Sequence, residues 1–218
     1  MFQGIAITTF LLTLVGVIAH WRAYPTTDEC HEKGGAIRGI VHVLCLLLIE
    51  QRLSLLGALK KLCYLVAAFC FVVLGFTGFY PLLARGEHIS GYLMMIHATL
   101  APVFAICLAI LAVTWASRFR FEKADCPWVQ QILRRFTRLQ LSAAQGSCKA
   151  SAIVWKATFW LIVALALPLI LSIALSMLPL LGTDGQELLL AVHRWTAVVF
   201  AVIVIVHTYT AIRIRLAT

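Results

Sequence analysis

Five stretches of the chain are almost wholly apolar, at about residues 3–21, 62–83, 92–116, 157–181 and 188–212, and polar connections separate them. Each is long enough for a helix to cross about 30 Å of hydrocarbon. A segment in lipid must satisfy its own backbone polar groups, and a helix does so internally. The pattern therefore predicts an all-α integral membrane bundle of five transmembrane helices. Pro102 and Pro168 fall inside the third and fourth runs and predict kinks, whereas Pro81 and Pro179 read as helix ends.

Residues 36–58, "AIRGIVHVLCLLLIEQRLSLLGA", fit this scheme less well. Their apolar core runs only from Gly39 to Ile49 before Glu50-Gln51-Arg52. That is short for a span and suits an amphipathic helix at the interface; were it to cross, the bundle would have six helices. The first run is the length of a signal peptide, but it lacks a basic leading region and a small-residue cleavage site before His20. It reads as a true span. The chain thus divides into an N-terminal extension, residues 1–61, with one transmembrane helix and the amphipathic segment, and a four-helix membrane domain, residues 62–218.

Composition excludes a soluble domain: 62% of the 218 residues are hydrophobic, 12% are charged, and the mean hydropathy is +0.95. The net charge of +9 is unevenly placed. Segment 116–156 carries Arg118, Arg120, Lys123, Arg134, Arg135, Arg138, Lys149 and Lys156 against Glu122 and Asp125, while loop 182–187 has no basic residue and loop 84–91 only Arg85. By the positive-inside rule the 116–156 loop and the C-terminus face the cytoplasm, and the N-terminus lies outside. The charge is a signature of topology and not of nucleic-acid binding.

The last run, "AVHRWTAVVFAVIVIVHTYTAIR", holds two imidazoles in an oily helix. His193 and His207 are fourteen residues apart, hence about 40° apart around a helix and about 21 Å along it. They share one face at opposite leaflets. His97 sits about five residues into the third run, which also starts outside, so its depth matches that of His193. Ionisable groups inside a membrane are costly and usually functional. Two haems of b type, each gripped by imidazoles from separate helices and stacked across the bilayer, would use this arrangement. The alternatives for each histidine are hydrogen bonding in the core, proton relay or binding of a bare metal ion.

From about residue 60 onward the order of elements resembles the diheme cytochrome b subunit (the gamma subunit) of respiratory formate dehydrogenases and, more loosely, the cytochrome b of nickel–iron hydrogenases and the b561-like membrane cytochromes. A first helix ends "GFTGFYPLL"; then come "GYLMMIHATLAPVFAI" with one His, a basic loop, a His-free helix, and a helix with two His. The resemblance implies that His97 and His193 hold an outer haem and that His207 serves an inner one. The family's inner partner is a His at the cytoplasmic start of the first helix. Here that place reads "KKLCYLVAA", with Tyr64 where the His would be. Two haems b are expected and one is possible. His20 and His42, on the N-terminal extension, are the candidates for a replacement ligand; His20 also fits an interfacial "HWRAY" anchor and His42 a helix facing headgroups. The resemblance further implies a bacterial cytoplasmic (inner) membrane protein embedded in the lipid bilayer. Its partners would be redox subunits, an iron–sulfur or multihaem protein, and menaquinone or ubiquinone.

Other residues are more weakly marked. Gly75 and Gly78 leave room for a flat macrocycle near the backbone, or for close helix packing. Arg194 suits a haem propionate or a lipid headgroup. His88, after Glu87 in a short outer loop, reads as solvated or at a subunit contact. His31, in "TTDECHEKGG", has Thr27 where a c-type haem motif needs Cys. Cys45, Cys63, Cys70 and Cys107 read as small core residues, and Cys126 and Cys148 as reduced loop thiols. Tyr64, Tyr209, Thr208 and Lys61 are the polar groups expected near a quinone on the inner side. No nucleotide loop, nucleophile triad or carboxylate pair occurs. The expected role is electron transfer within a membrane oxidoreductase complex, with any substrate-oxidising site in a partner chain. A self-standing b561-type carrier and a non-redox membrane protein are the alternatives.

Overall fold

The computed structural model describes residues 2–23, 55–121, 147–178 and 181–216. Among them the chain forms α1 (Phe2–Ala23), α2 (Leu55–Tyr80), α3 (Gly91–Trp115), α4 (Ser147–Ser176) and α5 (Gly182–Leu216), with no strand. All five are long and apolar enough to cross a membrane. The protein is a multi-pass helical membrane protein. Residues 24–54, with His31, His42, Cys45 and most of the ambiguous 36–58 segment, lie outside the described residues. So do Cys126 and Pro179.

α2 does not stop at Pro81. A π-helical turn, Pro81–Arg85, continues it, and Gly86 ends it in the left-handed region at φ 69°. Proline has no N–H to lose at the start of such a turn, and glycine adopts positive φ without a Cβ clash. Pro102 and Pro168 lie within α3 and α4.

The bundle is inside-out relative to a soluble core. Large apolar side chains face outward, with Leu12 69% and Val113 79% exposed, toward what would be lipid. The buried polar side chains are small: Thr77, Thr158, Ser172 and Thr210. Their hydroxyls bond back to their own helices, as in Thr77 to Val73 O (2.8 Å), Thr158 to Val154 O (2.8 Å) and Thr210 to Val206 O (3.0 Å). Each hydroxyl proton is thus satisfied without water, and the helices approach closely at small residues.

Packing divides the bundle into two hairpins. α2 lies along α3, and α4 along α5. The hairpins meet at mid-height through Phe71, Phe104 and Phe200, whose ring centroids are 6.1–6.4 Å apart, with Ile162 and Ala166 beneath them. Below this layer Ala67, Cys107 and Leu111 form a second cluster, with Cys63, Tyr64 and Trp115 against it. Cys63, Cys70 and Cys107 are free thiols, and the latter two are buried.

α1 leans on the outside of this pair. Phe2 meets Trp195 (4.5 Å), Phe10 meets Phe79 (5.1 Å), and Gln3 Nε2 donates to Leu83 O (3.1 Å). At its other end His20 and Trp21 reach Tyr209. α1 therefore runs parallel to α5. One end of the bundle holds the short connections after α2 and α4. The other, the basic end, gathers Lys60, Lys61, Arg118, Arg120, Lys156 and Arg213.

Candidate functional site

The phenylalanine layer gives the histidines their heights. His97 is seven residues before Phe104 on α3, and His193 is seven before Phe200 on α5. Those phenylalanines touch, so both histidines stand about 10 Å from the layer, toward the short connections. They belong to different hairpins, and the two rings are close enough to interact electrostatically. His207, seven residues past Phe200, stands about 10 Å away on the basic side. At that same height α2 presents Tyr64, seven residues before Phe71.

The hydrogen bonds fix the tautomer of His193 and favour the same one in His97 and His207. His193 Nδ1 donates to Leu169 O (2.9 Å), since a carbonyl can only accept. His97 Nδ1 lies 2.9 Å from Thr77 Oγ1, whose own proton goes to Val73 O. With that proton on the carbonyl the threonine accepts, and His97 Nδ1 carries the hydrogen. Thr158 Oγ1 treats His207 Nδ1 in the same way (2.8 Å), its own proton going to Val154 O. In all three rings Nδ1 is the donor and Nε2 keeps its lone pair, the state in which a neutral imidazole binds a metal.

The surroundings of the two levels differ. Gly78 lies beside His97: a Cβ there would come within 3.2 Å of His97 Cε1 and 3.7 Å of Nδ1. A Cβ at Gly75 would meet nothing within 4 Å. Among the described residues neither His97 nor His193 makes a ring contact. His207 instead sits among rings, with Phe119 at 6.1 Å and Trp155 at 6.2 Å.

The remaining candidates are placed elsewhere. His20 is exposed, and its Nδ1 lies 2.5 Å from Tyr209 Oη. Tyr209 is two residues past His207 and about 200° around the helix, so His20 meets α5 on a face turned from His207. Arg213 stacks over Trp21 (5.9 Å) at the same corner. Arg194 Nε bends back to Leu190 O on its own helix (3.4 Å). His88 is exposed in the connection after α2. His42 lies outside the described residues. Tyr64 stacks on Trp115 (5.7 Å, 28°), turned toward α3.

Sequence reasoning missed Thr77, Thr158 and the Leu169 carbonyl. A threonine near the height of a histidine on a neighbouring apolar helix is the available signal, but the rotation that joins them is set only by packing.

Two helical hairpins that offer imidazoles at one height suit a membrane cytochrome of b type. The family model for prokaryotic cytochrome b561, the nickel-hydrogenase cytochrome b family, matches residues 59–217, and the chain belongs to that family. The match begins after α1. No match is found among curated proteins or among solved structures. The protein is a membrane haem b electron carrier. The short-connection level fits that group: its two imidazoles have oriented Nδ1–H groups, and glycine leaves the space beside His97 that any Cβ would fill.

Thr77→Val keeps the shape of the residue but removes the acceptor of the His97 N–H. Haem affinity is expected to fall about tenfold, the low end of the 10–100-fold range for such supporting partners, because the Leu74 carbonyl also lies within reach. The midpoint potential should rise, since a less basic imidazole stabilises ferric iron less. Haem titration and potentiometry of the purified variant check both.

Proposed function

We propose that the chain is the cytochrome b subunit of a bacterial membrane oxidoreductase, passing electrons between a partner's redox centre and the quinone pool. The observation that carries this reading is the pairing of His97 and His193 at one height on separate hairpins, each with Nε2 left as an electron-pair donor. His97 and His193 hold the haem iron. Thr77 and the Leu169 carbonyl fix the two rings, and Gly78 keeps the space beside His97. Bound haem supplies a one-electron ferric/ferrous couple. The chain's own part is to hold that couple in a low-dielectric bundle and to keep both ligands neutral. The Phe71, Phe104 and Phe200 layer keeps the hairpins at a fixed separation below it.

The basic end faces the cytoplasm of the inner membrane in this reading, which the clustered Lys and Arg residues support. The donor chemistry in this reading belongs to a partner containing iron–sulfur clusters or haems; among the described residues the histidine level carries no nucleophile or acid–base pair for substrate oxidation. Menaquinone or ubiquinone is the exchangeable redox partner.

Purification from native membranes tests this. The expected preparation has a dithionite-reduced spectrum with the α-band of a bis-imidazole haem, is reduced by added menadiol or decylubiquinol, and carries a stoichiometric iron–sulfur or multihaem chain. A haem protein isolated alone, with no such chain, would reject the subunit role in favour of a self-standing carrier. A colourless preparation would reject electron transfer altogether.

A further inference from the structure

The spacing of His193 and His207 invites two haems, but the two heights are built differently. At the basic level Phe119 is 1% exposed and stacks on Phe159 (4.0 Å, 11°). Trp155 packs edge-on against it (4.5 Å), and Arg118 caps the Trp155 ring at 5.9 Å. Trp115 continues the stack from Phe119 (6.3 Å, 27°) to Tyr64. From His207 to its level-mate Tyr64 on α2 the ring contacts thus run through Phe119 and Trp115. The plug is anchored from outside as well, because Trp160 Nε1 donates to the Phe119 carbonyl (3.0 Å).

We infer that this chain holds a single haem, at the His97–His193 level, and that the basic level is a packed aromatic plug in which His207 is a structural residue. A porphyrin on His207 would need a flat slab of space beside that ring and a second axial ligand across it. Instead Phe119 and Trp155 lie against the imidazole, and Tyr64 is turned away onto Trp115. His20, the described alternative ligand, is engaged with Tyr209 on another face. The His207–Thr158 hydrogen bond then ties α5 to α4, as a satisfied core polar pair does.

The inference rests on the proposed function and sharpens it. With one haem in the short-connection half, electrons enter and leave in that half and do not cross the whole bilayer through this chain. The donor and the quinone then approach the same leaflet.

Haem stoichiometry of the purified full-length chain, by pyridine haemochrome against amino-acid analysis, tests it alongside a potentiometric titration of the α-band. One haem per chain and a single one-electron wave are expected. His207→Ala should keep that haem, and Thr158→Val, which retains side-chain volume, should do the same if the alanine variant is not recovered. Two haems per chain or two potentiometric waves would overturn the inference while leaving the proposed function standing. So would a haem that His207→Ala or Thr158→Val removes and His97→Ala spares. A chain with no haem would defeat both.

Discussion

His97→Ala and His193→Ala are each expected to give a chain that inserts into the membrane but retains almost no haem. A haem held by two imidazoles loses half of its axial ligation when either is removed, and among the described residues no substitute imidazole stands at that height. Among the described residues the nearest polar side chain to His97 is the Thr77 hydroxyl, which is already occupied on both sides, by the His97 N–H and by the Val73 carbonyl. Among the described residues neither ring stacks on an aromatic side chain, so loss of either breaks no ring stack. The measurement is the reduced-minus-oxidised spectrum of membranes normalised to chain abundance by immunoblot. Abundance should stay near that of the wild type while the α-band disappears. An unchanged band in His97→Ala would remove the basis of the site.

Gly78→Leu is expected to have an effect of comparable size for a steric reason. An added Cβ alone would stand 3.2 Å from His97 Cε1, so Gly78→Ala forces the ring to shift by a few tenths of an ångström. That shift bends the Nδ1–Thr77 bond and tilts Nε2; reduced haem occupancy and a moved potential are expected. Leucine adds a branched group along the same line, and the ring must leave its place. Gly78→Leu should lose haem nearly as completely as His97→Ala. Gly75→Ala is the control: its Cβ meets open space, and the spectrum should stay unchanged. Equal behaviour of Gly75→Ala and Gly78→Leu would show that glycine at 78 serves only general helix packing.

Much of this was legible in the chain itself. The five apolar runs gave helices whose ends differ from the expected spans mostly by a few residues. The largest extensions are at α2, which starts at Leu55, and at the polar ends of α4 and α5. Those additional turns are less apolar, so hydropathy did not mark them, while hydrogen bonding along the helix continued. Pro81 misled for a related reason: a proline ends an α-helix by its missing N–H, but the chain here accommodated it in a wider turn that closes at Gly86. The common height of His97 and His193 also followed from counting residues.

What the sequence determined by itself was the solvent, the five spans found among the described residues, and the rotation and depth of His97, His193 and His207 along their own helices, because 1.5 Å and 100° per residue are local properties of any helix. What only the tertiary structure decided was which neighbour each imidazole meets. The Thr77, Thr158 and Leu169 partners, the glycine beside His97 and the rings around His207 all depend on how one helix is rotated and shifted against the next. That choice is made by side-chain packing at the Phe71, Phe104 and Phe200 layer and by the turn that carries Phe119 under α4. It involves residues far apart in the chain, and no local period records it.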